Sequence, residues 1–264
     1  MARGLFDLSG KVVLATGANS GIGLAFLQGC AKQGADVVVW GRRAEKNAEA
    51  LEALKALGAP RVYAVAVDVS DEAAVEAAFA STLEAMGRVD CVFANAGFSD
   101  RAASFIDLST KAYHDLLDVN LHGAFFTLRA AARHMRERAK AGDPGGSLVA
   151  CGSLSMFHGL QGMEHYAASK GALSAMIKGL AVEMGQYGVR ANMIAPGFIL
   201  TGMMSGDQAQ TEAVSKRFAA ITPLGRPGQA SDIEGPAAYL ASDASIFHTG
   251  DILVVDGGRM VKAL

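Results

Sequence analysis

The stretch Val12-Val13-Leu14-Ala15-Thr16-Gly17-Ala18-Asn19-Ser20-Gly21-Ile22-Gly23 runs from an apolar segment into a glycine-rich turn and on into helix-period sequence. A short, unbroken apolar run reads as a strand with both faces covered. Gly17, Gly21 and Gly23 are spaced GxxxGxG, which differs from the GxGxxG of the usual dinucleotide fingerprint. The physical demand is the same: a tight turn, backbone brought close to a pyrophosphate, and a helix N-terminus facing the anion. With 31 glycines in the chain the spacing alone says little. Its place between a strand and a helix makes the turn, with Asn19, Ser20 and Ile22, a candidate cofactor site.

Outward from that turn, short β-branched runs alternate with longer helical stretches, the signature of crossover units building a parallel sheet. Strands are expected at Val12–Thr16, Val37–Trp40, Val62–Val67, Cys91–Ala94, Ser147–Cys151, Arg190–Ala195 and Ile252–Asp256. Helices are expected at Ile22–Gln33, Ala44–Leu57, Glu72–Met86, Lys111–Ala139, Tyr166–Glu183 and Ser231–Ala241, with Gly34 and Gly58 as stops and Ser70 giving half a capping box before the third. Right-handed crossovers bring the carboxyl ends of the strands to one edge, where open α/β sheets bind ligands. Gly17, Asp68, Asn95, Ser153 and Pro196 all fall there. The segment Phe198–Arg226 breaks the alternation and reads either as a mobile flap over the site or as an ordinary surface excursion.

The chain has 264 residues, 51% apolar and 19% charged, with no linker-like stretch or internal repeat, so a single domain, 1–264, is expected. A net charge of −2 argues against a nucleic-acid-binding face. The longest charge-free stretch, Pro144–Met163, is broken by five glycines and three serines, unlike a bilayer-spanning helix. The N-terminus lacks a secretory apolar core, so a cytoplasmic location is expected. Cys30, Cys91 and Cys151 are widely separated among apolar neighbours and read as reduced core residues; with no CxxC or Cys/His cluster, no metal site is expected.

Cofactor choice rests on the end of the second strand, where an acidic side chain would accept ribose hydroxyls and repel a 2′-phosphate. Here the sequence is Val39-Trp40-Gly41-Arg42-Arg43, with no carboxylate. Arg42, with Arg43 as second candidate, suits the 2′-phosphate, so NADP(H) is expected over NAD(H). Asp68, followed by Val69, reads either as an acceptor for the adenine amino group or as a cap for the next helix.

The run Tyr166-Ala167-Ala168-Ser169-Lys170 places a phenol and an ammonium at i and i+4, on one face of a helix. A phenol with an ordinary pKa of about 10 needs roughly 3–4 kcal/mol to work near pH 7 or 8. One cation at about 4 Å supplies on the order of 4 kcal/mol at an effective dielectric of 20. Ser153 adds a neutral donor for a substrate oxygen. The set suits proton transfer coupled to hydride movement, Tyr166 protonating a carbonyl oxygen or deprotonating an alcohol. His158 and His165 read as loop or helix-surface residues, and no GxSxG or HExxH motif offers hydrolysis.

These motifs together resemble the classical short-chain dehydrogenases/reductases over nearly the full length. They are TGxxxGIG at Thr16–Gly23, Asp68, ANAG at Ala94–Gly97 in place of the commoner NNAG, Asn120, Ser153, YxxxK at Tyr166 and Lys170, and Pro196-Gly197 followed by Thr201. The resemblance implies a Rossmann-type, doubly wound, seven-stranded parallel sheet with helices on both faces. It also implies four catalytic residues, Asn120, Ser153, Tyr166 and Lys170, with Lys170 also binding the nicotinamide ribose and Asn120 holding a relay water. Asn95, Ala96 and Gly97 would lie along the cofactor, with Pro196, Gly197, Ile199 and Thr201 near its carboxamide and diphosphate. Similar proteins are usually homotetramers, and the terminal Gly250–Gly258 run looks like an interface segment.

Leu154, Met156, Phe157, His158 and Met163 are expected to face the substrate, a small ketone or secondary alcohol such as a 3-oxoacyl thioester, a sugar-derived ketone or a cyclic alcohol. Two other readings are an NAD-dependent alcohol or sugar dehydrogenase of the same fold and a non-catalytic NADP-sensing protein. The second has no need for Ser153, Tyr166 and Lys170 together.

Overall fold

The first strand, β1 (Val12–Thr16), forms because five consecutive apolar or β-branched residues satisfy their backbone only between neighbours on both sides. It pairs in parallel with β2 (Asp36–Gly41) on one flank and β4 (Cys91–Ala94) on the other. With β3 (Val62–Ala66), β5 (Gly146–Cys151), β6 (Val189–Pro196) and β9 (Ile252–Val255), the sheet has seven strands in the order β3-β2-β1-β4-β5-β6-β9. The order reverses between β1 and β4, and that switch point opens a crevice at the carboxyl edge. The computed structural model describes residues 4–201 and 208–262.

Alternate residues of the strands enter two separate cores. Val12, Leu14, Val38, Trp40, Val92 and Leu148 face one layer of helices, whereas Val13, Val37, Val39, Phe93 and Val149 face the other. The first layer holds α3 (Glu72–Met86), α5 (Ala124–Lys140) and α6 (Glu164–Met184). The second holds α1 (Gly21–Ala31), α2 (Ala44–Ala56) and α8 (Glu234–Ala241). Phe26 of α1 stacks on Phe93 of β4 at 4.6 Å between ring centroids, and both are fully buried. Burying one such side chain stabilises the fold by about 1.5–3 kcal/mol. The result is the single-domain, doubly wound sheet that the strand pattern predicts. All three cysteines are buried thiols.

Three local readings need correction. Lys111–Ala139 is not one helix: α4 (Thr110–Leu117) leads into a π-helical turn over Asp118–Gly123 before α5 begins. Wider turns of this kind reorient individual side chains, and this one carries the fully buried Asn120. The cap of α3 is Asp71, whose carboxylate accepts from the Ala74 amide at 3.1 Å, while Asp68 accepts from the Ser70 amide and hydroxyl one turn earlier. His165 is 1% exposed; it shares a buried stripe of α6 with Ser169 and Leu173 and is no surface residue.

Inside 198–226, β7 (Ile199–Leu200) pairs with β8 (Gly228–Gln229) just beyond it, and α7 (Gln208–Ile221) lies between them in sequence. Phe198 stacks on Phe218 of α7 with centroids 3.5 Å apart. Residues 202–207 of the expected flap lie outside the described residues.

Candidate active site

The carboxyl edge carries a cavity of about 340 Å³ at the switch point. Its floor is the glycine turn, because α1 starts there without a side-chain cap: Ser20 makes none, and the first turn holds no acidic residue. Backbone N–H groups at such a terminus favour an anion. Gly23 has no room for a side chain, since a Cβ would come within 2.5 Å of both the Asn95 Nδ2 and the Gly17 carbonyl oxygen. Asn95 ties this turn to the end of β4. Its Nδ2 donates to the Thr16 oxygen at 2.9 Å, and the Thr16 hydroxyl accepts from the amides of Asn95 and Ala96 at 3.0 and 2.9 Å. The turn, the uncapped helix end and the missing Cβ together fit a dinucleotide pyrophosphate.

Ser153, just past β5, and Tyr166 and Lys170 of α6 line the same cavity, along with Gly17, Ser20, Gly21, Ile22, Asn95, Ala96, Gly97, Pro196, Gly197, Ile199 and Thr201. Burial pushes the Tyr166 phenol above its ordinary range; the Ser153 hydrogen bond pulls it back, and the Cys151 sulfur pushes it further up. Lys170 is fully surrounded, which lowers its pKa, and its Nζ donates to the Cys151 carbonyl oxygen at 2.8 Å. Its Nζ stands 5.8 Å from the Tyr166 ring centroid. The expectation that Lys170 pulls the phenol toward neutrality therefore does not hold in this arrangement. The i, i+4 spacing fixes a shared face, but the long lysine side chain places its charge on the nearest carbonyl.

Asn120 lies behind the cavity wall, not in it. Its Oδ1 accepts from the Phe98 amide at 2.9 Å and its Nδ2 donates to the Phe98 carbonyl at 2.8 Å, so it clamps the segment after β4. Arg42, Arg43, Asp68, Val69 and Asn19 also lie outside the cavity lining. Arg42 is 71% exposed in its side chain and stands 3.9 Å from Asp68. Burial tends to raise the Asp68 pKa, but the Ser70 hydrogen bonds and Arg42 outweigh it and hold the carboxyl below its usual value. Leu154 opens a single 3-10 turn directly after Ser153, and Phe157, 41% exposed, closes it; neither these nor Met163 line the cavity. Phe98, Ser99, Gly152 and Phe198 line it without having been expected. Phe98 and Ser99 directly follow the ANAG run, and that adjacency is the signal that would have found them.

Residues 17–259 match the family model described as "Enoyl-(Acyl carrier protein) reductase". The chain is 38% identical over 256 residues to an L-rhamnose 1-dehydrogenase (NAD(P)(+)) of Sphingomonas sp. (strain SKA58), covering 97% of this chain and 98% of that protein. It is 38% identical over 261 residues to a gluconate 5-dehydrogenase of Gluconobacter oxydans (strain 621H), covering 98% of each. Among solved structures, a gluconate 5-dehydrogenase from Burkholderia cenocepacia J2315 in complex with NADP and tartrate superposes with a TM-score of 0.87 at 33% identity, covering 98% of each chain. The chain belongs to the short-chain dehydrogenase/reductase family. Its class is that of NAD(P)-dependent oxidoreductases acting on CH–OH and C=O groups.

Proposed function

We propose that the protein is an NADP-preferring enzyme that interconverts a secondary alcohol and a ketone on a polyhydroxylated, sugar-derived substrate. The observation that carries this reading is the convergence of Ser153, Tyr166 and Lys170 on the cavity whose floor is the glycine turn. The rhamnose and gluconate relatives support the substrate class. Two features support NADP: β2 ends without a carboxylate, and the exposed Arg42 stands at that end.

When bound, a nicotinamide supplies or accepts the hydride. The amides at the start of α1 hold the pyrophosphate, Arg42 and then Arg43 hold the 2′-phosphate, and Asp68 and Val69 border the adenine. Asn95, Ala96, Gly97, Pro196, Gly197, Ile199 and Thr201 form the groove between them. Tyr166 gives its proton to the carbonyl oxygen in reduction and takes it from the alcohol in oxidation. Ser153 donates to the same oxygen as negative charge grows there. Lys170, held on the Cys151 carbonyl, would offer its ammonium to the nicotinamide ribose, and Asn120 fixes Phe98 and would support a water relay. Leu154, Phe157 and Met163 would border the substrate beside Ser153.

The reading includes a homotetramer. β9 is an edge strand with four half-buried residues, and Phe247 in the loop before it is fully exposed. Light scattering on the purified protein tests the assembly. No described helix is long and apolar enough to cross a membrane, and the three unpaired thiols suit a reducing cytoplasm.

The test is parallel titration with NADPH and NADH, read by energy transfer from Trp40, the single tryptophan. NADPH is expected to bind at least about tenfold tighter, the worth of one charge-assisted contact. Equal affinities overturn the Arg42 argument. Turnover of a polyol and sugar-ketone panel with the preferred cofactor then tests the substrate class, and activity confined to apolar ketones overturns it.

A further inference from the structure

Besides the backbone bond from the Ala18 amide to the Trp40 carbonyl, the glycine turn has two side-chain ties, and only one of them lies in a recognisable motif. Asn95 holds it from the β4 side. On the β2 side the side-chain tie is Asn47, in the first turns of α2 and 3% exposed. Its Nδ2 donates to the carbonyls of Gly41 at 2.9 Å and Val65 at 3.1 Å, bridging the ends of β2 and β3. Its Oδ1 accepts from the Asn19 Nδ2 at 2.9 Å, which reaches across from the turn. A leucine would bury more simply at this place in an amphipathic helix, since an amide must find a partner for every polar atom or lose stability. Here the donor and the acceptor are both used, and the acceptor is spent on the turn.

The same pair fixes the identity of the last residue of β2. A Cβ at Gly41 would lie 2.5 Å from the Asn47 Oδ1 and would also collide with the Asn19 amide. The two asparagines thus occupy the space that a side chain at the end of β2 would need, including the carboxylate that favours an unphosphorylated ribose. Arg42 leaves the strand immediately beyond, exposed.

We infer that Asn47 is a positioning residue for the adenosine 2′-phosphate. Through Asn19 it fixes the distance between the glycine turn and the start of the Arg42 side chain, and it keeps position 41 free of a carboxylate. This rests on the NADP reading given above. It concerns a residue outside the cavity lining.

The experiment measures binding of adenosine 2′,5′-bisphosphate and of AMP by calorimetry to the full-length protein. The variants are Asn47→Leu, Asn19→Ala and the double variant. Each single change is expected to weaken the bisphosphate about tenfold, AMP by less, and the double change is expected to do no more than Asn47→Leu alone, because that change already breaks the bridge to Asn19. A purely structural role would lower the melting temperature and leave the bisphosphate-to-AMP ratio unchanged; that result, or losses that add in the double variant, overturns the inference. Where Asn47→Leu does not fold, Asn19→Ala decides, since it leaves the Asn47 bonds to β2 and β3 in place, and an unchanged ratio in that variant overturns the inference. Wild-type protein that fails to bind the bisphosphate at all overturns the NADP reading itself, a result distinct from the others.

Discussion

The ammonium of Lys170 rests on the carbonyl oxygen of Cys151, 2.8 Å away at the end of β5, so the strongest charge in the cavity wall is held by backbone and not by the phenol one helical turn before it. Burial lowers the lysine's pKa, so the unfolded chain holds this proton more tightly than the folded one. Stability therefore rises with pH between the folded-state value and the ordinary lysine value of about 10.4.

Lys170→Met removes the buried charge and its desolvation cost while keeping most of the volume, at the loss of the hydrogen bond to the Cys151 carbonyl. The variant should lose the rise in urea midpoint that wild type shows as pH climbs toward the ordinary lysine value, while turnover falls by about 10²–10⁴. A lowered midpoint with unchanged turnover would make Lys170 structural.

The layered sheet was legible because short, nearly continuous apolar runs such as Val12–Thr16 and Cys91–Ala94 read as strands covered on both faces, and alternate residues do enter opposite cores, only the edge strands β3 and β9 being half-buried. The glycine turn and the YxxxK pair were legible because their spacing is local. What the sequence hid depends on partners distant in the chain. Lys170 finds Cys151 nineteen positions away, and Asn47 reads as one more polar residue of α2 until the fold brings Asn19 to it. The π-helical turn was hidden for another reason: Asp118–Gly123 contains no proline and flows into helix on both sides, so its widened backbone leaves no mark in the sequence.

Gly23→Ala should be among the most damaging single-methyl changes. The new Cβ meets the Asn95 amide and the Gly17 carbonyl, two groups that shape the floor of the cavity. Overpacking of this kind costs about 1–3 kcal/mol, and nucleotide affinity should fall with it. Denaturant unfolding and NADPH titration on the same sample check both; normal affinity would place the pyrophosphate elsewhere.

Asp232 receives two hydrogen bonds from Arg226, at 2.6 and 2.8 Å, and one from the Gln229 amide at the start of the turn before α8. The Arg226 hydrogen bond, the Gln229 amide and the nearby charge bring its pKa down to about 2. A carboxyl depressed in the folded state stabilises it above the ordinary value of about 3.9 and loses that contribution as pH falls through the folded value. Asp232→Asn should therefore be less stable than wild type at pH 7, and the gap should close between pH 4 and 2. Acid unfolding followed by circular dichroism reads it, and a gap that persists at pH 2 would assign the loss to packing.

Tyr166→Phe isolates the proton from everything else the site does. The phenol sits in surroundings that push its pKa above the ordinary tyrosine value, with Ser153 as the partner that opposes the shift. It is therefore protonated throughout the neutral range, ready to act as an acid in ketone reduction. Deleting only the hydroxyl leaves α6 and the turn untouched, so NADPH affinity should stay within about twofold, while kcat for reduction falls by about 10²–10⁴ and KM changes little. A difference absorbance titration of wild type against the variant should also place the missing phenol's midpoint above about 10. Retained turnover would move the proton to another donor, and Ser153 would then be the first residue to replace.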